Sequence, residues 1–170
     1  MPCATLAPDL QTLPMRTVAA AEPVTVMYVG TLAGDFHALD DICRKAGWYL
    51  CRAATVREAL LRLYRVSTPV VISDSSVADG DWRLLLEGVE PLPRPPHIIV
   101  SSRLADECLW AEVLNLGGFD VLSTPFAASE VHHVVRCAWD SWHQAWGAAR
   151  RFAAGFAPGA ANIVSPDAAD

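Results

Sequence analysis

Asp74 closes a short apolar run, Val70-Val71-Ile72-Ser73, and is followed by Ser75, Ser76, Asp79, Gly80 and Asp81. A carboxylate is costly to bury without a partner, so Asp74 marks the point where a buried strand must stop. In an open α/β sheet that C-terminal strand edge is where ligands gather, because its loops meet the positive N-terminal ends of the following helices. Asp74 is the first candidate for chemistry, with a junction acid bonded to Ser75 or Ser76 as the plainer reading. Asp79 and Asp81 could add acids to the same edge, although turn formation accounts for them equally well. Gly30-Thr31-Leu32-Ala33-Gly34-Asp35 precedes a helical pattern and could cradle an anion on backbone N–H groups. It lacks G-x-G-x-x-G spacing and reads as a plain loop. His132 and His133 are adjacent and point apart on a helix, so they do not form a metal pair and read as surface residues.

The elements that must hold these residues alternate. Val24 to Gly30 is a continuous β-prone run, and Ala33 to Ala46 follows with Phe36, Leu39, Ile42, Cys43 and Ala46 at helical spacing and Gly47 as its stop. Trp48 to Ala53 reads as a second strand. Thr55-Val56-Arg57-Glu58 is a capping-box signature opening a helix with Ala59, Leu60, Leu63 and Val66 inward. After the Asp74 strand, Trp82, Leu85, Leu86 and Val89 mark a short helix that Pro91, Pro93, Pro95 and Pro96 end. His97 to Ser101 is the fourth strand, Leu104 to Leu116 a helix with Cys108, Leu109, Val113 and Leu116 inward, and Phe119 to Ser123 the fifth strand. From Ser129 a long amphipathic helix places Val131, Val135, Ala138, Trp139, Trp142 and Trp146 on one face. Five strands alternating with five helices imply right-handed crossovers and a doubly wound parallel sheet.

With 170 residues, 52% hydrophobic and 19% charged, the chain has enough apolar sequence for one domain core. The expected limits are a disordered arm over 1–23, a domain over 24–150 and a disordered tail over 151–170. A formal net charge of -6 with scattered arginines argues against a nucleic-acid partner. Cys3, Cys43, Cys51, Cys108 and Cys137 show no C-x-x-C spacing and read as reduced core thiols. With no signal-like N-terminus and no apolar run of membrane-spanning length, the expectation is a cytoplasmic protein with no membrane partner.

Over roughly Val24 to Trp142 this order of parts resembles the receiver domain of bacterial response regulators, the CheY-like family. Val71-Ile72-Ser73-Asp74 looks like that family's third-strand ending with its phospho-accepting aspartate, and Val77-Ala78-Asp79-Gly80-Asp81-Trp82 lies where its M-P-x-x-x-G loop runs. Gly117-Gly118-Phe119-Asp120-Val121-Leu122-Ser123-Thr124-Pro125-Phe126 is similar to the G-A-x-x-Y-L-x-K-P-F segment around the fifth strand. Ser101 and Ser102 are the two candidates for the hydroxyl that senses phosphorylation. The resemblance implies a flavodoxin-like fold with strand order 2-1-3-4-5. Gly30 and Thr31 stand where the family keeps the acid pair that holds Mg²⁺, Thr124 replaces its lysine, and Val121 its switch aromatic. The chain's one lysine is Lys45, in the first helix.

The implied protein is a degenerate receiver, a pseudo-receiver in two-component or phosphorelay signalling, with no enzymatic activity and no cofactor. Mg²⁺ binding is expected to be weak, since this ion relies on carboxylates and substrate oxygens. Its action would be protein–protein interaction with a histidine kinase or another signalling protein, independent of phosphorylation. A conventional phospho-accepting regulator at Asp74, and a flavodoxin-like protein that binds a small ligand or hydrolyses phosphate, are the alternatives. Trp110, Trp139, Trp142 and Trp146 are the expected contact surface of a homodimer or hetero-complex. The competing expectation is that Leu6, Leu10 and Leu13 fold back over the tryptophans.

Overall fold

The computed structural model describes residues 23–155, with backbone alone over 147–155; residues 1–22 of the expected arm (1–23) and residues 156–170 of the expected tail (151–170) lie outside the described residues. The strands are β1 (Thr25–Val29), β2 (Tyr49–Ala53), β3 (Val70–Asp74), β4 (His97–Ser102) and β5 (Asp120–Ser123). Every neighbouring pair is parallel, in the order β2-β1-β3-β4-β5. A two-residue antiparallel ladder, Ser76–Val77 with Gly80–Asp81, lies outside this sheet. The helices are α1 (Ala33–Ala46), α2 (Val56–Leu63), α3 (Trp82–Val89), α4 (Glu107–Asn115) and α5 (Ala128–Gly155). This is the doubly wound architecture expected from the alternation, and no described helix is long and apolar enough to cross a membrane.

The period of two along each strand sorts the core into layers. Val26, Tyr28, Val70, Ile72, Ile99 and Leu122 face α1 and α5. Met27, Val29, Ala53, Val71 and Ile98 face α2 and α3, while Val100 and Val121 join Trp82 and Val113 beneath α4. Burial is close to complete in β1, β3 and β4, in keeping with their continuous apolar runs, whereas the edge strands β2 and β5 are partly exposed.

The helix starts follow from local capping. Thr55 Oγ1 accepts the Glu58 N–H at 3.0 Å, and the Glu58 carboxylate reaches back to the Ala54 N–H at 2.9 Å, one residue before the position a capping box would use. Asp79 adds a cap from a distant loop, accepting the Val56 and Arg57 N–H groups at 2.7 and 3.0 Å. Asp81 accepts the Arg83 and Leu84 N–H groups at the start of α3. Both turn acids are therefore spent on helix N-termini.

Five expectations are corrected. The fourth helix begins at Glu107 rather than Leu104, because Asp106 is its N-cap and accepts the Leu109 N–H at 2.8 Å. Of its expected inward residues, Val113 is buried on Val100 and Val121 and Leu109 is half-buried, but Cys108 and Leu116 are exposed, since this short helix lies at the sheet's edge. The second helix ends at Leu63, leaving Val66 exposed. Cys43 is a core thiol whose burial pushes its pKa up to about 12, whereas Cys108 and Cys137 are exposed and Cys51 is half-buried. Cys3 lies outside the described residues. The last helix also continues past residue 151 to Gly155.

Candidate functional site

Register and strand parity assemble the site. Ile72 pairs with Tyr28 and with Ile99, and Asp74 pairs with Ser101, all on the α1/α5 side of the sheet. Two residues beyond Tyr28, just past the end of β1, stands Gly30, beside Asp74. With no side chain at Gly30, the Tyr28 ring lies across that level and its hydroxyl reaches the carboxylate: Tyr28 Oη is 2.9 Å from Asp74 Oδ1 and 3.0 Å from Oδ2. Ser101 Oγ donates to Asp74 Oδ1 at 2.9 Å. A Cβ built on Gly30 would lie 2.3 Å from Asp74 Oδ2 and 2.5 Å from Tyr28 Oη, so glycine here is a condition of the cluster.

Arg52 is level with Tyr28 on β2, on the same side. Its Nε and Nη2 donate to the Gly30 and Thr31 carbonyls at 3.3 and 2.8 Å, and its guanidinium lies 5.1 Å from the Phe36 ring centroid. Above Asp74 opens a pocket of about 410 Å³ lined by Thr31, Asp35, Ser76, Ser102, Arg103 and Thr124, among others.

Burial raises the Asp74 pKa, and the Asp35 charge pushes the same way; the Ser101 and Tyr28 hydroxyls and the Arg52 charge oppose it without cancelling it. Tyr28 is raised as well, first by burial and then by the Asp74 charge, so its hydroxyl stays protonated and donates. Because folding raises the Asp74 pKa, the folded chain holds that proton more tightly than the unfolded one. Stability from this group is full below the unfolded value of about 3.9 and falls as pH rises through the folded value. Asp74→Asn is therefore expected to raise the unfolding midpoint at neutral pH, the gain shrinking once pH drops through the acid window. Its amide oxygen can still accept from Ser101 and its N–H can donate to the Tyr28 oxygen. Thermal unfolding of both proteins across that range checks this, and a variant less stable than wild type at neutral pH would contradict it.

The structure separates the two serine candidates. Ser101 is buried and bonded to Asp74, whereas Ser102 Oγ accepts the Leu104 N–H. Thr31 and Thr124 line the pocket without reaching Asp74 in any bond, and the carboxylate is held by Tyr28 and Ser101 rather than by Ser75 or Ser76. Tyr28, Arg52 and Arg103 escaped sequence reasoning, and Asp35 was read only as part of a plain loop. A polar-tipped aromatic two residues before a strand-ending glycine was the signal available for the first of them.

The tryptophans separate too. Trp142 is 6% exposed, not part of an exposed stripe, and its indole N–H donates to the Pro95 carbonyl at 3.0 Å. Trp139 is half-buried against the α1/α5 core, and Trp146 is half-buried with its ring centroid 6.4 Å from that of Trp142. Trp110 is 50% exposed on α4 and its indole N–H donates to Asp120 Oδ1 at 3.1 Å.

This architecture is that of receiver domains. A receiver domain of an HD-domain-containing protein from Pseudomonas fluorescens superposes with a TM-score of 0.69 at 19% identity, over 78% of this chain and 98% of that one. A protein described as a response regulator from Chloroflexus aurantiacus gives 0.66 at 24% identity, over 70% and 99%. The beryllofluoride-activated NtrC4 receiver domain dimer gives 0.64 at 19% identity, over 69% and 98%. No family model matches the sequence, and no curated protein does.

The Mg²⁺ ion that the resemblance implies does not fit the residues present. Gly30 and Thr31 offer no carboxylate, Asp35 is the one further acid on the pocket wall, and no three acidic, histidine or cysteine side chains gather as ligands among the described residues.

Proposed function

We propose that the chain is a receiver-like signalling module of the two-component type that acts by contact with another protein and needs no aspartyl phosphate. The observation that carries this reading is the Asp74 carboxylate, bonded by the Tyr28 hydroxyl on both oxygens and by Ser101 on one. Phosphoryl transfer depends on placed positive charge, and here both donors to the carboxylate are uncharged hydroxyls. Thr124 stands at the lysine position, and Arg103, the one cation on the pocket wall among the described residues, is exposed. A conventional phospho-acceptor and a phosphate-hydrolysing enzyme both need the charge that is missing.

A protein partner, such as a histidine kinase or another signalling protein, is favoured by the apolar surface on and around α4. Leu104 is 80% exposed, Leu116 52% and Trp110 50%. The beryllofluoride-activated NtrC4 receiver domain is a dimer, and self-association is a second form of contact within this reading.

Incubating the full chain with acetyl phosphate and Mg²⁺ is expected to give no phosphate-sized gain in intact mass. Low-millimolar Mg²⁺ is expected to leave tryptophan emission unchanged, Trp82 being packed against Val100, the neighbour of Ser101. A stable mass gain that Asp74→Ala abolishes would overturn the proposal.

A further inference from the structure

A second and larger cavity opens at the opposite edge of the sheet from Asp74. It is a groove of about 650 Å³ where α3 and α4 end and β4 begins, with Leu86, Val89, Pro95 and Leu116 among its apolar residues and Trp142 and Trp146 of α5 as its aromatic wall. The two indole centroids are 6.4 Å apart and the rings are tilted against each other by 55°. A concave, largely apolar space of this volume is of the size that encloses a small organic molecule, and smaller than the broad flat patch by which two globular copies associate.

The charge around the groove selects the sign of its occupant. Glu87 and Glu90 stand in the wall at the C-terminal end of α3, where the free helix carbonyls already carry partial negative charge. Neither carboxylate has an ion-pair or hydrogen-bond partner among the described residues. α4 also ends on the groove, at Leu116 and Gly117, and neither helix has a basic residue in its last turn. Of the cations nearby, Arg83 is already bonded to Asp81 and to Glu112. His97 is neutral at neutral pH, since burial lowers its pKa, and its Nε2 lies 3.2 Å from Ser141 Oγ. Arg94 lies over the indoles, 4.8 Å from the Trp142 centroid and 5.5 Å from that of Trp146, so these ring faces already attract a guanidinium. Two unmatched carboxylates and two helix C-termini remain, beside aromatic surface that favours positive charge.

We propose that this groove is a binding site for a small organic cation, an ammonium or guanidinium group carried on an apolar body. The charged end meets Glu87 and Glu90, and the body packs on Trp142 and Trp146. An anion would face the same two carboxylates and the same helix ends as repulsion, so the site discriminates by charge as well as by shape.

The test titrates the full chain at neutral pH with three probes of one shape: phenylpropylammonium, the neutral phenylpropanol and the anionic phenylpropionate. Tryptophan indole N–H resonances are the readout, assigned through Trp146→Phe and Trp142→Phe. The ammonium is expected to shift the Trp142 and Trp146 signals saturably, with a dissociation constant of about 1 mM as suits so small a probe, and to leave the Trp82 signal in place. It is expected to bind about tenfold tighter than the alcohol, with the phenylpropionate weakest. Glu87→Gln combined with Glu90→Gln is expected to bring the ammonium down to the level of the alcohol and to leave the alcohol unchanged. Absence of a saturable shift with the ammonium up to about 10 mM would overturn the proposal, as would equal binding of the three probes or an ammonium preference that survives the double substitution. A basic, leucine-bearing peptide that shifts both signals where the ammonium does not would also overturn it, because the groove would then serve a protein segment.

Discussion

Gly30→Asp, the change that would supply the first of the missing acids, is expected to destabilise the domain by about 1–3 kcal/mol, the usual cost of overpacking, without creating a metal site. The Cβ alone would fall 2.3 Å from Asp74 Oδ2 and 2.6 Å from the Tyr28 ring carbon that bears the hydroxyl. Tyr28 is fully buried and cannot swing away, and its hydrogen bonds to Asp74 are the contacts that break. A second carboxylate beside one whose pKa is already raised adds repulsion in the same direction. Gly30→Ala isolates the steric part. Tyr28→Val removes the obstructing ring, so Tyr28→Val with Gly30→Ala is expected to cost less than the two single changes summed, with a coupling of about 0.5–3 kcal/mol. Urea unfolding measures all four proteins. A Gly30→Ala protein within about 0.5 kcal/mol of wild type, the range of a neutral surface change, would show that the cluster relaxes without loss.

This cluster also shows where sequence reading stops. The five strands were legible because β-branched runs, helical spacing, proline stops and the capping signature at Thr55 agree with one another, and their order because the arrangement of parts resembles receiver domains. Most helix limits were equally local: α1 ends at Gly47, whose φ of 71° needs a residue without a Cβ. What stayed hidden is non-local. That Tyr28 reaches Asp74 depends on the β1–β3 register and on the absence of a side chain at Gly30, and neither is visible in a single stretch of sequence. Asp79 looked like a turn acid because the helix it caps begins 23 residues earlier in the chain. Cys108 and Leu116 looked inward because helical spacing cannot say how much sheet lies beneath a helix at its edge.

Trp142→Ala is the other change expected to have a large effect, because the structure moves this residue from an anticipated contact surface into the core. Its indole is buried among the β4 approach and the last helix, donates to the Pro95 carbonyl at 3.0 Å, and lies beneath Arg94. Truncation removes the packing, leaves a cavity and strands the Pro95 carbonyl, at a cost of about 3–5 kcal/mol. For a domain of this size that lowers the thermal midpoint by roughly 10 °C or more. Trp142→Phe keeps most of the ring and loses the N–H donor, so its cost should fall near 1 kcal/mol, the ordinary value of one hydrogen bond. Trp110→Ala, at a residue half in solvent, should cost the isolated chain no more than about 1 kcal/mol, while weakening any partner that reads α4. Denaturant unfolding of the three variants, run beside light scattering, separates the roles. A Trp142→Ala protein as stable as wild type but altered in association would return Trp142 to an interface; a large loss of stability at constant mass leaves it as the residue that fixes α5 to the sheet.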